Sequence, residues 1–474
     1  MPHGNTAIAV TADLRAAAEA AAPGGRLPSV RELMARHRAS PATVQRSVAQ
    51  LVAEGLVDAR PGRGTFAAAE PPAPAGARAD LSWQAVALGE RAAGAGTPLL
   101  DLLAIPPAGA IALSGGYTQA ELMPTGALGA ALARAARRPG AWERGPVEGR
   151  EALRSWFARE AGGAFSAHDM IVCPGGQPAL STAFRALVSP GAPLLVESPT
   201  YLGAIAAGRA AGLRVVPVPS DADGVRPDLL AEAFARTGAR LFYCQPAFAN
   251  PHGATLAPAR RAAVMDAVRA AGAFLVEDDW ARDLGIDGDP PPPLAADDPD
   301  GHVVHLRALT KVAAPGLRVA AVGARGAAGA RLRAARVVDD FFVAGPLQEA
   351  ALDLVSSPAW RRHRRALRIA LRARRDALVA ALRTDAPALA PAFVPAGGLH
   401  LFAALPDGAD DVAVAAAAAA RGVVVTPGRH WFPAEPPGAH LRLTFAAAPP
   451  EALAEGVRRL AGALADAGVA SDRA

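Results

Sequence analysis

Lys311 is the single lysine among the 49 Lys and Arg residues of this 474-residue chain. A guanidinium stays protonated, whereas a lysine amine whose proton affinity is lowered can attack a carbonyl and form a Schiff base. A coding bias toward Ala, Arg, Gly and Pro would also thin out lysines, so the neighbours of Lys311 have to decide. It stands in Leu309-Thr310-Lys311-Val312-Ala313-Ala314-Pro315-Gly316-Leu317-Arg318, where the adjoining hydroxyl and the arginine both suit a phosphate. Glu277-Asp278-Asp279-Trp280 sets three carboxylates directly after the apolar run Phe274-Leu275-Val276, a costly choice unless something cationic is bound there. Gly175-Gly176-Gln177 precedes a helix expected from Pro178, whose free N–H groups suit a phosphate; a plain tight turn reads the same way. Glu197-Ser198-Pro199-Thr200-Tyr201 puts one of only three tyrosines at a strand end, either packed or stacked on a flat ligand. Asn250-Pro251-His252-Gly253 is a turn whose amide can bond a ligand oxygen. In His440-Leu441-Arg442-Leu443-Thr444-Phe445 a half-buried Arg442 calls for a carboxylate.

The elements that must position these residues follow from the apolar pattern. From Ile171 onward short apolar runs (194–196, 213–218, 241–243, 274–276, 303–306, 320–322) alternate with helical patterns, which predicts βα units and a mostly parallel sheet covered by helices on both faces. In such sheets chemistry gathers at strand ends, where the residues above fall. Residues 11–66 read differently. A helix is expected over 11–21, stopped by Pro23-Gly24-Gly25; a second starts at Ser29, whose spacing to Glu32 is that of a capping box. A third starts at Ser40 with Pro41 in its first turn and buries Val44, Val48 and Leu51. A hairpin is predicted from Leu56 to Phe66 about a Pro61-Gly62 turn. Residues 67–80 have lost apolar periodicity and read as a Pro- and Ala-rich connector.

Composition bounds the answer without choosing it. With 51% apolar and 20% charged residues the chain reads as globular and long enough for two or three domains, and a net charge of +5 does not by itself suggest nucleic acid. No stretch approaches the roughly 20 apolar residues of a bilayer span and no signal core opens the chain, so a cytoplasmic location is expected. The two cysteines, Cys173 and Cys244, lack metal-ligand or disulfide spacing and are expected in the core; no metal site is indicated.

Taken together, Arg26-Leu27-Pro28-Ser29-Val30-Arg31-Glu32-Leu33, Ser40-x-x-Thr43-Val44, Glu54-Gly55-Leu56-Val57 and Gly62-Arg63-Gly64-Thr65-Phe66 resemble the winged helix-turn-helix of GntR-family transcription regulators. From about Ala110 to the C-terminus, the order and spacing of the other motifs resemble pyridoxal-phosphate aminotransferases of fold type I. The whole chain is thereby identified as resembling the MocR subfamily. The implied organisation is a winged helix-turn-helix at 1–66, a linker at 67–109 and an α/β aminotransferase-like domain at 110–474, with a small C-terminal α+β domain from about 360. By this resemblance Lys311 would carry pyridoxal 5'-phosphate and move protons, and Asp278 would pair with the pyridinium nitrogen. Tyr201 would stack on the ring, Asn250 would bond the phenolic oxygen, and Gly176, Gln177, Thr310 and Arg318 would hold the phosphate. Arg442 would clamp the α-carboxylate of an amino compound. Arg31, Ser40, Thr43 and Gln45 would face the major groove of double-stranded DNA, with Arg63 and Gly64 on the wing.

Several positions depart from the pattern of the relatives: Pro41 where Arg is frequent, His252 for Thr, Trp280 for Tyr, and Arg144 where a tyrosine commonly reaches the partner subunit's cofactor in a homodimer. Asp279 has no implied role and reads as a surface or capping carboxylate, and the arginine run 361–375 reads as a solvated helix rather than a second DNA surface. The fused head favours a DNA-binding regulator that senses an amino compound through its cofactor; the alternative is a working aminotransferase acting on an amino acid and a 2-oxo acid.

Overall fold

Two serines start helices of the N-terminal unit. In the computed structural model, which describes residues 3–60, 62–68, 80–88, 97–389 and 391–469, the chain divides into units Met1–Arg91 and Ala92–Ala474. The first holds α1 (His3–Ala20), α2 (Val30–His37), α3 (Pro41–Ala53) and an antiparallel hairpin of β1 (Val57–Arg60) and β2 (Gly64–Ala67). Ser29 and Glu32 form the predicted capping box, and Ser40 accepts from the Thr43 N–H with Pro41 in the first turn. Val10, Leu14, Leu33, Val44, Leu51 and Val57 form its core. Helix α1 starts earlier than expected, at His3. Ser47, which a hydrophobic count passes over, is buried and accepts a hydrogen bond from Thr11 at 2.9 Å. Ser40→Ala is expected to lower hydrogen-exchange protection across α3 about fivefold in the full chain, the size of one lost N-cap; unchanged protection would show the cap to be redundant.

Pro61, expected in the turn of the hairpin, and most of the connector expected at 67–80 lie outside the described residues. Short helices at Trp83–Leu88 and Thr97–Leu103 are present within the stretch expected as linker at 67–109.

The second unit contains β3 (Ile111–Ala112), β4 (Met170–Cys173), β5 (Pro193–Ser198), β6 (Arg214–Asp221), β7 (Gly224–Val225), β8 (Leu241–Cys244), β9 (Phe274–Asp278), β10 (Val303–Ala308) and β11 (Ala320–Gly323), followed by β12 (His400–Ala404), β13 (Val423–Val424), β14 (Thr426–Pro427) and β15 (His440–Thr444). Eight of these form one sheet in the order β4-β11-β10-β9-β8-β5-β6-β7. Its centre, β10-β9-β8-β5-β6, is parallel. β11 runs antiparallel to both neighbours. The sequence rhythm made β11 look like one more βα unit, but the link from β10 is a short loop without a crossover helix, and a parallel return needs a longer connection. Both cysteines are buried in this unit, as expected. The C-terminal part is a three-stranded antiparallel sheet, β12-β15-β14, packed with helices. β3, from the start of the unit, pairs in parallel with β13, so this part also recruits residues well before 360.

The arginine-rich helix Pro358–Asp385 is less solvated than its sequence implies. Arg364 pairs with Asp283, Arg368 with Asp289, and Arg372 and Arg375 with Asp287, while Arg374 bonds the Ala448 carbonyl; Arg361, Arg362 and Arg365 are less buried. Asp279 is likewise no surface carboxylate. It is buried against Arg282 and His305.

Candidate functional site

Lys311 lies in the loop after β10, and its Nζ donates to the Gly116 carbonyl at 2.8 Å while sitting 3.7 Å from the centre of the Tyr117 ring. Burial, aided by Arg442 and Arg318 and opposed by Asp278, pushes its pKa down to about 7. The amine is therefore substantially unprotonated near neutrality, the state in which it is a nucleophile.

Asp278 ends β9 and is buried; burial pushes it up to about 6, against hydrogen bonds from Tyr243 and Gln245 that favour its charge. Tyr243 Oη and Gln245 Nε2 donate to the same oxygen, Oδ2, at 2.7 and 2.9 Å. Asn250 is drawn in through its side chain, whose Oδ1 accepts from Arg442 at 3.3 Å. Arg442 itself is fully buried rather than half-buried. It lies 4.6 Å over the Trp431 ring, donates to the Ser114 carbonyl, and approaches His400 Nε2 at 3.5 Å. Burial lowers even its proton affinity, to about 9.

The phosphate candidates form a second cluster. The helix Gly176–Leu187 begins with Gly175 as N-cap at a φ of +108°, and a Cβ at Gly175 would collide with the guanidinium of Arg318, which is held there by the Pro174 carbonyl at 2.9 Å. Only glycine gives both the backbone conformation and the close approach. Tyr201 Oη donates to Gln177 Oε1 at 3.1 Å, and Gln177 Nε2 donates to the Gly203 carbonyl at 2.9 Å, so ring and helix N-terminus are tied together. Thr310 Oγ1, Trp280 Nε1, His400 Nδ1 and Arg442 Nε are buried without a partner among the described residues. Of the twelve such atoms among the described residues, these four fall on Thr310, next to Lys311 in the chain, and on Trp280, His400 and Arg442, which follow one another in contact.

All the body residues expected from sequence thus converge. Several that were not expected join them: Tyr117 over Lys311, Tyr243 and Gln245 on Asp278, and His400 and Trp431 beside Arg442. The three tyrosines of the chain all lie here, so their rarity was the usable signal. His252, in the turn after Asn250, faces away toward a cavity of about 900 Å³ shared with Phe402, Phe432 and His440. In the N-terminal unit Arg31, Ser40, Gln45, Arg63 and Gly64 are exposed and Thr43 is partly buried. The Ser40 hydroxyl is engaged with Thr43 at 2.9 Å.

Residues 140–460 match the family described as aminotransferase class I and II, and residues 9–67 match the bacterial regulatory proteins of the gntR family. The chain is similar to the 2-aminoadipate transaminase of Thermus thermophilus, 32% identical over 363 residues, which cover 75% of this chain and 90% of that one. It is also similar to the HTH-type transcriptional regulator YisV of Bacillus subtilis, 28% identical over 395 residues and 80% of either chain. Among solved structures, LysN, the α-aminoadipate aminotransferase of Thermus thermophilus complexed with N-(5'-phosphopyridoxyl)-L-leucine, superposes with a TM-score of 0.72 at 29% identity, covering 76% of this chain and 93% of that one.

Proposed function

The chain belongs to the class I and II aminotransferase family and carries a gntR-family head, the domain pair of a MocR-type regulator, and from this premise we propose that it is a DNA-bound switch whose pyridoxal-phosphate site reads an amino compound. The observation that carries this is the union, in one chain, of a DNA-binding head with a body in which a half-buried, deprotonatable Lys311 lies within electrostatic reach of Asp278 and Arg442.

The residues fit the cofactor. Thr310 Oγ1 lacks a partner, the glycine at 175 leaves room for Arg318 at a helix N-terminus, and Asp278 Oδ1 accepts no hydrogen bond among the described residues. Pyridoxal phosphate, when bound, supplies an aldehyde that condenses with amines and a ring that accepts electron density. In this reading Lys311 provides the amine and carries protons at the reacting carbon. Asp278 holds the proton on the ring nitrogen, Tyr201 packs on the ring and Asn250 bonds its phenolic oxygen. Gly176, Gln177, Thr310 and Arg318 take the phosphate, and Arg442 takes the carboxylate of the amino compound. Trp280 and His252 replace residues common in relatives; the unpartnered Trp280 indole N–H remains as a donor near Arg442 through its stack on His400.

The DNA surface in this reading is α3 with Arg31, Ser40, Thr43 and Gln45 toward the major groove, and Arg63 and Gly64 on the wing. Acting on DNA, the protein works in the cytoplasm. No helix among the described residues is long and apolar enough to cross a membrane. A homodimer is supported by apolar side chains left exposed in neighbouring segments: Trp142, Val147, Phe341 and Phe342, with Arg336 bonding the carbonyls of both Val147 and Phe341.

The test is a band shift with duplex DNA from upstream of the protein's own gene. Saturating pyridoxal phosphate together with an amino donor is expected to change the operator affinity at least about fivefold; equal affinity with and without them would remove the sensing reading. The second reading, a working transaminase, is favoured by the complete set of Lys311, Asp278 and Arg442. Sustained turnover with a panel of amino donors and 2-oxo acids would decide for it.

A further inference from the structure

Gln245 follows β8 and is 3% exposed, and its backbone N–H and both ends of its side-chain amide are bonded. Its backbone N–H donates to Glu197 Oε2 at 2.8 Å. Its side-chain Oε1 accepts from the backbone N–H of Asn250 at 2.9 Å, and its Nε2 donates to Asp278 Oδ2 at 2.9 Å. A backbone N–H can only donate, so the amide has one permissible orientation, with the NH₂ toward Asp278. Tyr243 donates to the same Oδ2 at 2.7 Å. Two donors on one carboxylate oxygen fix the rotation of the group and leave Oδ1 as the acceptor for anything that enters.

One side chain therefore touches both residues assigned to polar positions of the cofactor ring: Asp278 at the ring nitrogen and the Asn250 turn at the phenolic oxygen. Glu197, itself buried at the end of β5, anchors the backbone at Gln245. We propose that Gln245 is a positioning residue that couples the Asp278 carboxylate to the Asn250 turn, so that grip on the ring nitrogen and grip on the phenolic oxygen are set together. This rests on the cofactor reading above. Because Gln245 Nε2 and Tyr243 Oη stabilise the charged carboxylate, their loss raises the Asp278 pKa from its value of about 6. Cofactor affinity that requires ionised Asp278 is lost as pH falls through that value, so the loss begins at higher pH when a donor is removed.

The experiment measures the dissociation constant of pyridoxal 5'-phosphate against pH in the full-length protein, by quenching of tryptophan fluorescence. In Tyr243→Phe the acid limb of the affinity profile moves up while the alkaline plateau holds. In Gln245→Met the limb moves up by about one pH unit and the plateau also weakens, about tenfold, because the Asn250 turn is released. A purely structural role would weaken binding at every pH without moving the limb, and that result overturns the proposal. If Gln245→Met fails to fold, Gln245→Glu decides: it keeps an acceptor for the Asn250 N–H and sets a second carboxyl against Asp278 Oδ2, which disfavours ionisation of the pair, so an unmoved limb there is equally fatal. Failure of the underlying reading looks different, because a parent protein that takes up no pyridoxal phosphate ends both, whereas a parent that binds beside variants that match it ends only this inference.

Discussion

In Lys311→Ala the visible absorption of the covalently held cofactor is expected to vanish, and any amine-transfer activity to fall at least about 10³-fold, the combined loss of a nucleophile and a proton carrier. In the proposed reading Thr310, Arg318 and the helix at Gly176 would still take the phosphate, so the variant should still bind pyridoxal phosphate, more weakly and reversibly. A retained visible band would place the reactive amine elsewhere, and with no other lysine in the chain the whole assignment would fall. The parent protein carries a matching pH signature. An amine with a pKa near 7 loses its free-base fraction about tenfold for each pH unit below that value. The rate of covalent cofactor uptake should therefore inflect near pH 7, far below the ordinary lysine range. Burial is the first cause of the shift and Arg442 the second, so Arg442→Leu should move the inflection upward. An inflection that stayed in place would mean that burial alone sets the amine.

The parts of the site that were legible in the sequence are those where a residue type is wasteful unless used. A lone lysine, a carboxylate closing an apolar strand and an arginine inside another strand each cost something to bury. What escaped notice depends on which strands are neighbours. Tyr243 and Gln245 belong to β8 and its exit loop, and they reach Asp278 only because β8 lies beside β9, a pairing no local pattern specifies. The same holds for Asp279 and Arg375. Each looked like solvated charge, and each is buried where a partner distant in sequence, His305 or Asp287, meets it. The head was more legible, since caps and turns are local: Ser29 with Glu32 and Ser40 with Pro41 start helices where their chemistry says they should.

Arg307→Met is expected to destabilise the body by about 3 kcal/mol without moving the pH signature of Lys311. Arg307 is 1% exposed on β10, bonded to Glu160 at 2.6 Å and Asp283 at 2.7 Å and lying 5.1 Å from the centre of the Trp156 ring. Asp283 also holds Arg364 at 2.9 Å, so one guanidinium links the central sheet, the helix Glu151–Ala161 and the long helix Pro358–Asp385. Removing one member of a buried ion cluster costs roughly 3–5 kcal/mol, because the charges left behind are not rehydrated. Here the lower end applies: Glu160 keeps a third of its side chain in water and Asp283 keeps Arg364. Arg307→Lys should fall between, since an ammonium does not reproduce the two-way fork. Neighbouring residues of a strand point to opposite faces, so Arg307 and Leu306, which pairs with Asp278, lie on different sides of the sheet. Urea unfolding should accordingly show a lower midpoint at unchanged slope, while cofactor uptake still inflects near pH 7. A stability within about 1 kcal/mol of the parent would mean that the cluster is held by packing and not by charge.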